Sequence, residues 1–157
     1  MATKQKTIGS KVVNESDEVK NVAAEMIKKN TMDFGPAEIL YLMIEPAISK
    51  TVAARCLKAT MEVKYYTDAD YVIEVSREIW DGLTEETKAI LIYNQLSKID
   101  PRYDDKEQIW KFKLAKFDSV GFSHIIKKHG LKWVDEIRTV IESVYDLDST
   151  ESRKIGI

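Results

Sequence analysis

At 157 residues, with 44% hydrophobic and 32% charged side chains, the chain is one domain long and holds enough apolar material for one core, which excludes two full domains and a disordered chain. Its 24 Lys and Arg stand against 26 Asp and Glu, a formal net charge of -2, so no global field draws it to nucleic acid or to an anionic membrane. A single cysteine, Cys56, excludes an intrachain disulfide framework and a Cys-rich zinc cluster. With no signal pattern in MATKQKTIGS and no long apolar run, the expectation is a cytoplasmic protein without a membrane span.

Residues 1–13 are polar and aperiodic and read as a flexible arm. From Asn14 or Ser16, either of which can cap a helix, Val19, Val22, Ala23, Met26 and Ile27 recur at helical spacing, and Lys28, Lys29 and Asn30 suit the C-terminal end. After the breaker Phe34-Gly35-Pro36, three strands are expected: 38–44, 53–63 and 71–75, with Asp68-Ala69-Asp70 as the turn into the last. Arg77 to Trp80 is a short helical turn. Thr84 then caps a longer helix with Ala89, Ile92, Tyr93, Leu96 and Ile99 along one stripe, closed by Asp100-Pro101.

A charged loop leads to residues 109–115, where Trp110, Phe112 and Leu114 alternate with Lys111 and Lys113 as in a half-exposed strand. Asp118 or Ser119 can cap a helix with Phe122, Ile125 and Ile126 inward, stopped by Gly130. A last helix sets Trp133, Ile137, Val140, Ile141 and Val144 on one side, and residues 147–157 read as a flexible tail. The class is α+β: one domain over 14–146, with Trp80, Ile92, Leu96 and Trp133 buried together.

The stretch YVIEVSREIWDGLTEETKAILIYNQLSK, residues 71–98, resembles the phage metallopeptidase family, a small zincin-like group related to SprT-type domains. There a strand, a Trp-containing turn and a helix precede H-E-L-x-H. AEILYLMIE resembles part of the family's N-terminal half, and FDSVGFSHIIKKHGLKW its later H-D-x-x-x-F segment, so the likeness spans roughly residues 18 to 133. It implies a zincin-like layout with a three-stranded sheet, an N-terminal helix and an active-site helix.

This sequence departs from the family at the chemistry. The resemblance puts Asn94 and Lys98 at the two histidine ligands of the motif, Gln95 at its glutamate base and Phe117, beside a retained Asp118, at the third ligand. A catalytic zinc ion takes three strong donors and an open fourth position. An amide is a weak zinc ligand, an ammonium is repelled by a dication, phenylalanine has no lone pair to give, and glutamine cannot accept the proton of a bound water. The expectation is a pseudoenzyme with no cofactor. The plainer reading of Asn94, Gln95 and Lys98 is the solvated face of an amphipathic helix.

Other candidates are weaker. His124 and His129, five apart, do not share a helix face as a metal pair would, and read as surface or capping residues. Cys56 reads as a small buried apolar side chain. Lys106, Lys111, Lys113 and Lys116 interleave with Trp110, Phe112 and Phe117, the composition of a single-strand nucleic-acid platform, although a strand with one wet face gives the same alternation.

What the resemblance implies is a phage protein in the bacterial cytoplasm that engages a host or phage protein, a host defence factor included, with Lys98 and Asp118 as a charge pair over the vacated site. The alternatives are an enzyme whose metal ligands come from Asp100, Asp104, Asp105, Asp118 or the histidines, and a nucleic-acid binder using Trp110, Lys111 and Lys113.

Overall fold

The computed structural model describes residues 5–115 and 125–145, the side chains of 5–8 excepted. Strands β1 (Gln5–Ile8) and β2 (Lys11–Glu15) form a hairpin over Gly9-Ser10, and Gly9 takes the positive φ of 62° that such a two-residue turn requires. Ser16 caps α1 (Asp17–Lys29) by accepting a hydrogen bond from the Val19 amide at 3.2 Å. Asp17 and Glu18 favour its positive N-terminal end, and Val19, Ala23 and Met26 turn inward.

Strands β3 (Ile39–Glu45), β4 (Ala54–Lys58) and β5 (Tyr71–Ser76) complete a five-stranded sheet in the order β1-β2-β3-β5-β4, in which only β3 and β5 run parallel. Between β4 and β5 lies α2 (Met61–Thr67), capped by Thr60 and ended by Asp68 in the left-handed region. Then come α3 (Arg77–Trp80), α4 (Glu85–Leu96), the hairpin of β6 (Ile99–Asp104) and β7 (Ile109–Leu114), a helical segment α5 at residues 125–129, and α6 (Lys132–Tyr145).

Alternation along each strand decides which side chains meet the helices. Tyr41, Ile73 and Cys56 form one row on the helical side, and Met43, Val75 and Ala54 form the next. Packed on them are α1 and α4, with α3 and α6 beyond, and Trp80, Ile92, Leu96 and Trp133 share one core as expected. The two indoles are satisfied: Trp80 donates to Glu18 Oε1 and Trp133 to the Gly130 carbonyl, each at 2.9 Å. Glu136 of α6 accepts from the Thr84 amide at 3.1 Å and so fastens the start of α4.

The α+β class stands, with boundaries that differ from expectation. The described part of the expected arm is the β1–β2 hairpin; Gly9-Ser10 is its turn signal, and Val12 and Val13 suit a strand. The sheet therefore has five strands rather than three. The strand expected over 53–63 stops at Lys58, because the Thr60 hydroxyl offers the Val63 amide a helix cap. Ile99 leaves the α4 stripe and opens β6, which takes in the first residues of the supposed loop after Pro101, leaving 105–108 as the turn into β7. The caps Asp118 and Ser119 lie outside the described residues, whereas buried Ile125 and the Gly130 stop, at φ 72°, are as read.

Candidate functional site

Helix α4 is a central helix rather than a surface one. It packs against α1, β4 and α6, so its polar residues turn inward as well as its apolar ones. Asn94 is 1% exposed and Gln95 0%, which overturns their reading as a solvated face. Both polar atoms of the Asn94 amide and the Gln95 Nε2 are buried without a hydrogen-bond partner among the described residues. Gln95 Oε1 accepts from Lys98 Nζ at 3.1 Å. Burial of that kind without partners costs free energy at each group.

Cys56 on β4 lies within electrostatic reach of Lys98, and Tyr41 and Tyr71 share its side of the sheet. The Cys56 thiol is buried, as its reading as an apolar side chain requires, and burial pushes it up to about 12, with the Lys98 amine pulling the other way. Burial likewise pushes Tyr41 up to about 12, with Cys56 adding to the effect. Tyr71 donates to the Lys113 carbonyl at 2.7 Å and so ties the β6–β7 hairpin to the sheet. Lys98 is half-buried, and its amine is held below the ordinary lysine range by burial, against the opposing effect of Cys56. Nearby, the His129 ring meets Tyr93 edge-on at 5.6 Å, and Lys128 lies 5.1 Å over Tyr93.

The Lys98 and Cys56 shifts act on stability with opposite signs. For Lys98 the unfolded chain holds the proton more tightly, so the stability lost to its burial at neutral pH returns as pH rises toward the ordinary 10.5. For Cys56 the folded chain keeps its proton longer, so its contribution is complete below the ordinary 9.0 and is lost as pH climbs toward about 12. Denaturant melts on the alkaline side of neutrality should show Lys98→Met removing the rising component and Cys56→Ala the part of the fall that begins near 9, the buried Tyr41 adding its own fall above 10. A Lys98→Met profile parallel to that of the parent protein would show that the amine is not desolvated.

The β6–β7 hairpin separates its aromatic and charged residues. Pairing across the ladder sets Tyr103 with Trp110 and Pro101 with Phe112 on one face, and Arg102 with Lys111 and Asp100 with Lys113 on the other. Trp110 packs on Gly35, where a Cβ would stand 2.9 Å from its ring; that approach and a φ of 57° demand glycine there. Lys111 pairs with Asp104 at 2.9 Å, a contact that holds the Asp104 carboxyl below its usual range, and with Glu107 at 3.6 Å; Arg102 pairs with Asp100 at 3.0 Å.

Of the expected site residues, the structure thus gathers Asn94, Gln95 and Lys98 at one buried locus and holds Trp110, Lys111 and Lys113 apart on the hairpin. Phe117, Asp118, Lys116 and His124 lie outside the described residues. Sequence reading missed the place of Cys56 beside Lys98, for which no local signal exists. It also missed the two-sided burial of α4; the run Ala89-Ile90-Leu91-Ile92-Tyr93, apolar on every side, is the signal for it. Among the described residues no three His, Cys, Asp or Glu side chains gather as a metal would need. No helix there is long and apolar enough to cross a membrane.

A mixed sheet with α1 and α4 packed on one face, the latter a central helix carrying polar side chains inward, is compatible with a small zincin-like domain. The chain belongs to the family described as "Putative phage metallopeptidase", whose profile matches residues 11–145. No curated protein and no solved structure matches it.

Proposed function

We propose that this chain is a catalytically inactive member of its family that works as a protein-interaction module, with a host or phage protein as its partner in the bacterial cytoplasm. The supporting observation is the contact of Lys98 Nζ with Gln95 Oε1 at 3.1 Å, which joins the positions that the resemblance assigns to a metal ligand and to the catalytic base. An amine already donating to that amide offers its lone pair to zinc only after losing a proton, and as an ammonium it repels the dication. Asn94 adds a weak amide donor, and Gln95 cannot take a proton from water. The side chains at these positions do not fit a catalytic zinc ion.

Within this reading Lys98 supplies the positive charge in place of a metal, with Asp118 as its counter-charge. The two alternatives draw less support. Asp100 and Asp104 are engaged by Arg102 and Lys111, which leaves them poorly placed to serve a new metal centre. A single-strand platform presents rings and cations together, whereas the hairpin puts them on opposite faces and pairs Arg102 and Lys111 with acids.

Elemental analysis of tag-free protein tests the inactive reading, with zinc expected well below stoichiometry. About one equivalent per chain, resistant to mild chelation and lost in Asn94→Ala, would overturn it. Capture from host lysate, followed by reconstitution with the purified partner, tests the interaction role.

A further inference from the structure

We propose that Asn94, Gln95 and Lys98 form a binding site for one small monovalent anion of about chloride size, a site of the opposite polarity to a zinc centre. This assignment rests on placing the three at the family's ligand and base positions, as the inactive reading does. Asn94 and Lys98 are one helical turn apart, and Gln95 stands three residues before Lys98, so the three side chains can converge. The backbone continues the turn past the end of α4, where the Lys98 amide donates to the Gln95 carbonyl at 3.1 Å. Lys98 Nζ and Gln95 Oε1 already meet at 3.1 Å.

What the three positions share is the N–H group. A zinc centre is made of lone pairs, whereas Asn94 Nδ2 and Gln95 Nε2 are donors, buried and without a partner among the described residues, and the Lys98 amine only donates while it keeps its charge. Each buried donor left unbonded costs free energy, and the low dielectric that raises this cost also strengthens any bond made there. An anion accepts from both amide nitrogens and at the same time offsets the burial of the lysine charge. One water beside the ion, donating to Asn94 Oδ1, serves the remaining amide atom.

The surroundings suit an anion and limit its size. Cys56, Tyr41 and Tyr71 bring no negative charge, because burial pushes each of them up to about 12 and leaves it neutral at physiological pH. Asp100, the nearest acid along the chain, is held by Arg102 at 3.0 Å. Carbonyls at a helix end repel an anion, but here the Tyr93 carbonyl accepts from the Ser97 amide at 3.0 Å and the Ser97 hydroxyl at 2.8 Å, and the Gln95 carbonyl is taken by Lys98. With Asn94 1% and Gln95 0% exposed, the ligand is an ion of one or a few atoms and not a side chain of a partner. One amine balances one negative charge, which excludes a dianion.

Thermal melts of the whole chain at constant ionic strength, with gluconate exchanged stepwise for chloride, test the proposal alongside the line width of the chloride NMR signal. The melting temperature should rise with chloride as mass action requires of a ligand bound to the folded state, and the protein should broaden the signal until bromide displaces the ion. Asn94→Leu and Lys98→Met should each weaken binding about tenfold or more, every variant being compared with its own melt in gluconate. Lys106→Met, at an exposed lysine in the turn between β6 and β7, should leave binding unchanged. Asp118→Asn should tighten it severalfold, because it removes the carboxylate set against Lys98; unchanged binding there would overturn that charge pair and leave the anion site standing. A melting temperature indifferent to the anion, without line broadening, gives the amides to water alone and overturns the proposal, whatever the zinc content. So does a chloride response that survives both Asn94→Leu and Lys98→Met, which would place the ion elsewhere.

Discussion

Trp80→Ala is expected to lower the unfolding free energy by about 3–5 kcal/mol, a large share of the stability of a domain this size. Trp80 is fully buried at the end of α3, in the same core as Ile79, Leu83 and Leu91, and truncation leaves a cavity that elements fixed by several other contacts cannot close. The loss also spreads beyond packing. The indole donates to Glu18 Oε1 at 2.9 Å, and Glu18 stands 3.6 Å from both Arg77 and Lys88, while the Lys88 amine lies 5.2 Å over the Trp80 ring. Removing the ring takes away the cation–π contact and leaves Lys88, which is buried, with Glu85 and Glu18 alone to offset its desolvation. Trp80→Phe keeps most of the apolar volume and drops the hydrogen bond, so it should cost no more than about half as much. Denaturant melts of the two variants separate packing from polar contact. A Trp80→Ala change below about 1 kcal/mol would mean that the region repacks around the loss.

What the sequence makes legible follows the range of the forces involved. The caps Ser16 and Thr84, the inward row of α1, that of α6 except Val144, which is exposed, and the alternation of β7 are local effects, and the structure has them where the residues imply. Thr60 and Gly9-Ser10 are local signals too, yet they were outweighed, the first by the apolar residues around it and the second by the polar run before it. Long-range partners are another matter. Nothing between Cys56 and Lys98 announces that β4 and the end of α4 will bring them together, since that depends on how the sheet orders its strands. The charges of residues 102–108 read as a loop because a hairpin hides its logic in cross-strand pairs such as Lys111 with Asp104. The locus of Asn94, Gln95 and Lys98 was legible only through the family resemblance. Their amphipathic spacing by itself pointed to solvent, and it was the burial of α4 between α1, β4 and α6 that decided otherwise.

The other large effect is expected to be a gain: Asn94→Leu should stabilise the protein by about 1–3 kcal/mol. An amide transferred from water to the interior loses its hydrogen bonds on both sides, and among the described residues Asn94 regains none for either Oδ1 or Nδ2. Leucine keeps the branch at Cγ, needs no partner, and is the better helix former at a position two residues from the end of α4. Its larger volume works against the gain, since overpacking costs about 1–3 kcal/mol where neighbours cannot yield. Asn94→Ala is the control for that term, because it removes the same unpaired amide without adding volume, and a small cavity is all it can lose. If the amide is uncompensated, at least one of the two variants melts later than the parent protein. If both melt earlier by more than about 1 kcal/mol, the amide is held by a buried water and the locus is a satisfied polar site. A stabilised variant would set Asn94 among the residues where local chemistry and fold disagree, and such disagreements gather where a protein has, or once had, a function to serve. Gln95, whose Nε2 is equally unpartnered while its Oε1 holds Lys98, belongs to the same disagreement, so Gln95→Met should return less stability than Asn94→Leu, because it also takes an acceptor from Lys98.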